Sequence, residues 1–85
     1  MEDCFMINIA EYDKSVFKSE ARSATLTAED GDFSITKDHI PTIAVLKKSG
    51  KVVCELGDGS TKEFMINPID GGFCIFENNV LNIFS

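Results

Sequence analysis

Residues 42–66, TIAVLKKSGKVVCELGDGSTKEFMI, decide the fold class. The stretch holds two runs rich in β-branched residues, TIAVLKK at 42–48 and KVVCEL at 51–56, joined by Ser49 and Gly50. A Gly-containing segment, GDGS at 57–60, then leads into TKEFMI. Short β-branched runs bounded by such turns are typical of strands joined by hairpins. The stretch therefore predicts two hairpins, one turning at 49–50 and one at 57–60.

The same pattern extends to both ends of the chain. FMINIA at 5–10 alternates, with Phe5, Ile7 and Ile9 on one face. VFKS, ARSATLT and DFSI follow as short strands, TKDHIP at 36–41 as a loop, and FCIFE and VLNIF as strands joined by Asn78 and Asn79. No stretch has helical periodicity. We expect about nine or ten short strands in an all-β sandwich or flattened barrel that forms a single domain over residues 1–85.

Charge and cysteine content limit the functional classes. The 85 residues carry a net charge of −6, which argues against binding nucleic acid or an anionic membrane surface and favours a basic protein partner. Cys54 and Cys74 fall on strands and are interpreted as buried thiols, which indicates a reducing compartment. The first residues, MEDCFMINIA, are acidic and unlike a signal or transit peptide.

The single histidine, His39, follows Asp38 and invites a catalytic or metal-binding interpretation. Catalysis needs a nucleophile or second base, and a metal site needs further ligands, yet neighbouring residues in extended chain point to opposite faces. The calcium-loop pattern is incomplete at EDGD, 29–32, and GDGS lacks the Lys and helix of a phosphate cradle. Gly71 and Gly72 favour a bulge or a close backbone approach. The residues therefore predict an interaction module, with no catalytic, cofactor-binding or metal-binding residues.

The order of four segments is similar to that of a known family. These are VFKSEA at 16–21, GDFSITKDHIPT at 31–42, DGGFCIF at 70–76 and NNVLNI at 78–83. They resemble the V-F-x-G/S-E-A, G-E-F/L-G-I-x-P-G-H-x-P-L, S-G-G-F/I and N-N-V segments of the epsilon subunit of F-type ATP synthases, in its N-terminal domain. The resemblance spans almost the whole chain. Asp38 and Thr42 depart from the family's Gly and Leu, and Lys37 replaces its first Pro.

The resemblance implies a flattened β-sandwich of about ten strands. It implies a non-catalytic rotor subunit that docks gamma to the c-ring and couples proton flow to ATP synthesis, at the cytoplasmic face of a bacterial inner membrane. It implies no cofactor, and a monomer when isolated. The implied c-ring contacts are Glu29, Asp30, Gly31 and Asp32, and the implied gamma contacts are Glu11, His39, Pro41, Thr42, Ile43 and Ala44.

Most bacterial members continue into a helical hairpin, which this sequence lacks after Ser85, so the regulatory role of that hairpin is not expected here. Two other classes stay open at this point. One is a free-standing β-sandwich module that binds a peptide or a sugar, for which the absence of Trp and the strand positions of most Phe residues are unfavourable. The other is a small-barrel enzyme of the cupin type, which would need a bound metal.

Overall fold

The computed structural model describes residues 4–11 and 14–85, and this part of the chain is built from β-strands. The strands in these ranges number eight, slightly fewer than the nine or ten expected. The difference arises partly because VFKS and ARSATLT, predicted as two strands, belong to one strand of 15 residues. The strands are β1 (Phe5–Glu11), β2 (Lys14–Ala28), β3 (Gly31–Thr36), β4 (Thr42–Leu46), β5 (Lys51–Leu56), β6 (Thr61–Met65), β7 (Gly72–Glu77) and β8 (Val80–Phe84).

The long strand β2 connects the two layers of the sandwich. Its first half pairs with β1, and its second half pairs with β3 on one side and β5 on the other. The pairing with β5 shifts between Ala21 and Ser23, where the strand passes from one layer to the other. One layer has the order β4-β7-β8-β1, with β8 and β1 parallel, and the other contains β3, β5 and β6. The class predicted from sequence, an all-β sandwich, is confirmed.

The prediction of a hairpin at Ser49 and Gly50 is wrong. A tight turn is present, with Gly50 N–H donating to Lys47 O over 2.9 Å, and Ser49 has φ = +62°. However, β4 pairs with β7, whereas β5 pairs with β2 and β6. The turn therefore carries the chain between layers. The hairpin at 57–60 is confirmed by the antiparallel pairing of β5 with β6.

The core lies between the layers and is formed by alternate residues of the strands. Phe5, Ile7 and Ile9 face it, as predicted, and Phe5 packs edge-on against Phe76 with ring centroids 5.6 Å apart. Other buried members are Ala21, Ala24, Leu26, Ile35, Leu46, Val52, Leu56, Ile66, Leu81 and Ile83. Within the described ranges, no helix is long and apolar enough to cross a membrane.

The predicted burial of two cysteine thiols on strands is confirmed. Cys54 and Cys74 are fully buried, and their thiols are free. Burial raises the pKa of both thiols, because the thiolate would lose its hydration. They act as small apolar side chains in the core.

Glycine and asparagine residues adopt positive φ in turns that the sequence predicted. Gly31 has φ = +127° in the β2–β3 turn, and Asn78 and Asn79 have φ = +54° and +59° in the β7–β8 hairpin. Gly72 makes a close backbone approach, since a Cβ added there would lie 2.3 Å from Phe84 O. A larger residue at 72 would therefore push β7 and β8 apart.

Candidate interaction surfaces

The acidic turn, defined as Glu29, Asp30, Gly31 and Asp32, projects from the end of the β2–β3 hairpin. Its residues are exposed, and Glu29 N–H donates to Val45 O over 3.1 Å, which ties the turn to β4. The positive φ of Gly31 allows the chain to reverse tightly, so the three carboxylates are concentrated at one tip. Such a tip attracts cationic groups.

A groove joins the acidic turn to β4. It has a volume of about 270 Å³. Its apolar wall comes from Phe33 and Ala44, and Asp30 and Asp32 lie at its rim. The structure thus places residues expected at the c-ring beside Thr42 and Ala44, which were expected at gamma. The two sets adjoin on one side of the sandwich.

The β3–β4 loop holds His39, whose ring is half-buried against Phe76 with centroids 5.9 Å apart and planes at 84°. His39 Nδ1 lies 2.8 Å from Ile40 O and 3.2 Å from Thr42 Oγ1, and the Thr42 hydroxyl donates to Ile40 O over 2.9 Å. Because a carbonyl oxygen only accepts, Nδ1 carries a proton in this arrangement. The histidine orders its own loop.

The same loop contains Asp38, which has φ = +66°, in the left-handed region that favours glycine. Asp38 N–H donates to Asn79 Oδ1 over 2.7 Å, and Asn79 Nδ2 donates to Asp38 Oδ1 over 3.1 Å. These reciprocal bonds explain how aspartate occupies a position where the resembled family usually has glycine. In the part of the chain that is described, no group of three or more His, Cys, Asp or Glu residues is arranged to hold a metal ion.

The apolar face is the outer surface of β4, β7 and β8, and sequence reasoning missed most of it. Val45 lies opposite Phe73, and Phe73 lies opposite Phe84. The two Phe rings stack with centroids 4.9 Å apart. In the next row, Ile43 lies opposite Ile75. Exposed fractions of 76% for Ile43, 60% for Val45 and 43% for Phe73 leave much of this face in water.

A recess lies at one end of the apolar face and has a volume of about 550 Å³. It is lined by Ala10, Phe73 and Phe84, with Asn67 and Asp70 on its polar side. The Asn67 side chain accepts hydrogen bonds from the backbone N–H groups of Ile69 and Asp70 over 2.8 and 3.0 Å. These bonds stabilise the turn in the connection between β6 and β7. The recess is preformed and mostly apolar.

The residues expected at gamma do not form one compact cluster. Five of them lie within residues 39–44, and Ile43 is the most exposed large apolar residue among these five. Glu11 lies at the end of β1, separated from β4 by β8 and β7. At the usual spacing between paired strands, the distance from β4 to β1 is about 14 Å. The row of Val45, Phe73 and Phe84 spans that distance and ends at the β1 residue next to Glu11.

Comparison with known proteins agrees with this architecture. The family model described as ATP synthase, Delta/Epsilon chain, beta-sandwich domain matches residues 4–85. A curated relative, the ATP synthase epsilon chain of Chlorobium limicola, is 39% identical over 72 residues, which is 85% of this chain and 77% of the relative.

A solved structure with the same fold belongs to the Euglena gracilis mitochondrial ATP synthase, determined by cryo-EM as an OSCP/F1/c-ring assembly in rotational state 1. One chain of that assembly superposes with a TM-score of 0.86 at 18% identity. The match covers 96% of the present chain and 50% of the Euglena chain, so the present chain spans half the length of that neighbour.

Proposed function

The chain belongs to the ATP synthase delta/epsilon family of β-sandwich domains, and from this membership we propose that it is a non-catalytic rotor subunit that joins the gamma subunit to the membrane c-ring. The subunit would work at the cytoplasmic face of a bacterial inner membrane. It would couple proton flow to ATP synthesis by transmitting torque. The proposal assigns gamma to the apolar face and the c-ring to the acidic turn.

The exposed apolar face is the observation that carries the gamma assignment. The chain has a net charge of −6, yet the outer rows formed by Val45, Phe73, Phe84, Ile43 and Ile75 hold no charged residue. Contiguous apolar surface of this kind usually marks a protein interface in a soluble domain. Stacked aromatic rings are well suited to such a contact because they bury a large area with few rotatable bonds.

The charge of the acidic turn supports the c-ring assignment. Asp30 and Asp32 are exposed at the tip of a hairpin that is tied to β4 through Glu29. The cytoplasmic loops of the ring typically present arginine in the resembled family. Complementary charge at the rim of an interface speeds association and selects the partner more than it adds affinity. The proposal therefore gives the turn a role in orientation and the apolar face the main share of binding.

A mechanical role is consistent with the side chains that are present. His39 bonds to its own loop, and the two core thiols have raised pKa values, so these groups are not poised for chemistry. The strand ladders of both layers are continuous through β2. A close-packed core between paired strands resists shear, which suits a subunit that transmits torque.

The gamma assignment is tested by titrating the purified chain with the gamma subunit of the same enzyme in a calorimeter. Val45 is 60% exposed, and complete burial of a Val side chain contributes about 1.5–3 kcal/mol. Val45→Ser is therefore expected to raise Kd by about 5- to 20-fold. The control is Val53→Ser, because Val53 lies on the outer face of the other layer. Equal effects of the two substitutions would contradict the proposal.

The c-ring assignment is tested in assembled enzyme with Asp32→Lys. Reversing this exposed charge is expected to leave the isolated domain folded, because Asp32 is at the start of an edge strand. It is expected to weaken proton pumping coupled to ATP hydrolysis in membrane vesicles, with the loss growing at low ionic strength. Glu63→Lys, on β6 in the second layer, makes the same change of charge and serves as the control once its folding is checked, because it also breaks the exposed ion pair of Glu63 with Lys51 at 3.1 Å. Normal pumping by the Asp32 variant would refute the assignment.

A further inference from the structure

The reciprocal pair of Asp38 and Asn79 joins parts of the chain that are 41 residues apart. One bond comes from a backbone N–H and the other from a side-chain amide, so the two residues form a closed ring of hydrogen bonds. Both residues have positive φ, at +66° and +59°. A non-glycine residue in this region is strained unless local bonds hold it, and Asp and Asn are among the residues that tolerate it best.

The pair lies immediately before the most exposed part of the loop. His39 N–H donates to Thr36 O over 3.1 Å and closes the turn that contains Asp38. Ile40 is 73% exposed and Ile43 is 76% exposed. Neither side chain is held in place by burial. The position of Ile43 is set by the pairing of β4 with β7, whereas that of Ile40 depends on the backbone between Asp38 and β4.

Further contacts order the rest of the loop. The Ile40 carbonyl receives hydrogen bonds from His39 Nδ1 and from the Thr42 hydroxyl. The His39 ring rests edge-on against Phe76, a core residue of β7. The loop is therefore anchored at its base by Asn79 and in its middle by β7. Both anchors belong to the β7–β8 hairpin, which also carries Phe73 and Phe84 of the apolar face.

From this geometry we infer that Asp38 and Asn79 are positioning residues that hold the loop at 39–41, which leads into β4, in its docking conformation before the partner arrives. The inference rests on the proposed docking of gamma at this surface. A loop fixed in advance loses less conformational entropy on binding, which increases affinity without adding any contact. Asp38 and Asn79 would then influence binding even where they do not touch gamma.

The test uses substitutions that keep the backbone conformation and remove only the side-chain bonds. Asp38→Gly and Asn79→Gly qualify because glycine accepts positive φ at both positions. Asp38→Gly removes only the bond from Asn79 Nδ2, because the backbone N–H at 38 can still donate to Asn79 Oδ1, whereas Asn79→Gly removes both bonds. The bond from Met6 N–H to the Asn79 carbonyl is retained in the second variant. Asp58→Ala is the control, because it removes a similar pair of bonds to Ser60 in the β5–β6 turn.

Amide hydrogen exchange in the free chain and gamma affinity by calorimetry are measured on the same variants. Each glycine variant is expected to speed exchange of the loop amides at His39 and Ile40 by about three- to tenfold and to raise Kd by a similar factor. The double variant is expected to show no larger effect than Asn79→Gly alone, because Asn79→Gly already removes both bonds. The Asp58 variant should change neither measurement.

The outcomes separate the inference from the function it rests on. If the unmodified chain does not bind gamma, the proposed function is overturned together with the docking role of the loop. If the unmodified chain binds and the glycine variants exchange faster without losing affinity, positioning is overturned alone. Unchanged exchange, or effects of the two single variants that add independently, would also overturn it.

Discussion

Replacing Gly72 by Ala gives the sharpest test of the packing at the end of the apolar face. A Cβ at this position would lie 2.3 Å from Phe84 O and 3.2 Å from Ser85 Cα. Both neighbours are backbone atoms, so no side-chain rotation relieves the clash. β7 and β8 must separate at their paired residues Phe73 and Phe84.

The magnitude follows from what this separation disturbs. Overpacking that forces backbone shifts costs about 1–3 kcal/mol. The bonds from Asn67 N–H to Ser85 Oγ and from Ser85 N–H to Ala10 O, both 2.9 Å, lie at the displaced end of β8. Losing one of them costs about 1 kcal/mol more. The free energy of unfolding should fall by about 2–4 kcal/mol, a large share of the about 4–13 kcal/mol expected for a domain of this size.

The assay is thermal unfolding followed by circular dichroism, with Gly57→Ala as the matched control. A Cβ at Gly57 would meet Cys4 Sγ at 3.5 Å and Glu20 Cβ and Oε1 at 3.8 and 3.9 Å, which are ordinary contacts with side-chain atoms. Neither Gly72 nor Gly57 has positive φ, so the two substitutions differ in steric contact rather than in backbone strain. Tm should fall by about 10–25 °C for the first variant and change by only a few degrees for the second. Equal Tm values for the two variants would refute the steric argument.

Two further predictions concern titratable groups. Hydrogen bonds from the Ser60 hydroxyl and N–H lower the pKa of Asp58 in the folded chain below its ordinary value of 3.8. The ionised carboxylate therefore stabilises the fold above pH 3.8, and this stabilisation is lost as the pH falls through the lower pKa of the folded state. The difference in urea midpoint between the wild-type chain and Asp58→Asn should therefore be greater at about pH 6 than at about pH 2, and a difference independent of pH would contradict this. For the thiols, a maleimide should label half-exposed Cys4 readily in the folded chain, whereas Cys54 and Cys74 should react only after denaturant is added. Mass spectra showing three labels without denaturant would contradict their burial.

Local features of the fold were predictable because short segments determine them. The alternation of Phe5, Ile7 and Ile9 indicates a strand with one buried face wherever that strand pairs. Asn78 and Asn79 favour a tight turn because asparagine tolerates positive φ. The exposure of the acidic turn was also predictable from a short segment, because the tip of a hairpin faces solvent.

Pairing between distant strands was not predictable in the same way. The turn at Ser49 and Gly50 has the composition of a hairpin, but its two strands enter different layers. A turn within a hairpin and a turn between two layers have the same local sequence signal. Only the pairing partners available elsewhere in the chain decide which of the two forms. The apolar face was missed for a related reason. Val45 and Phe73 lie on strands that are apolar on both faces, a pattern that also fits a strand buried on both sides.

The sequence alone determined the all-β class, the positions of most turns, the burial of the core cysteines and the family, because these depend on residue type and on order along the chain. The tertiary structure alone decided that β2 connects both layers, that an exposed aromatic pair joins β7 to β8, and that Asn79 supports Asp38 from 41 residues away. Such features depend on which segments meet in space. Contacts of this kind arise from the packing of the whole core, and no local pattern encodes them.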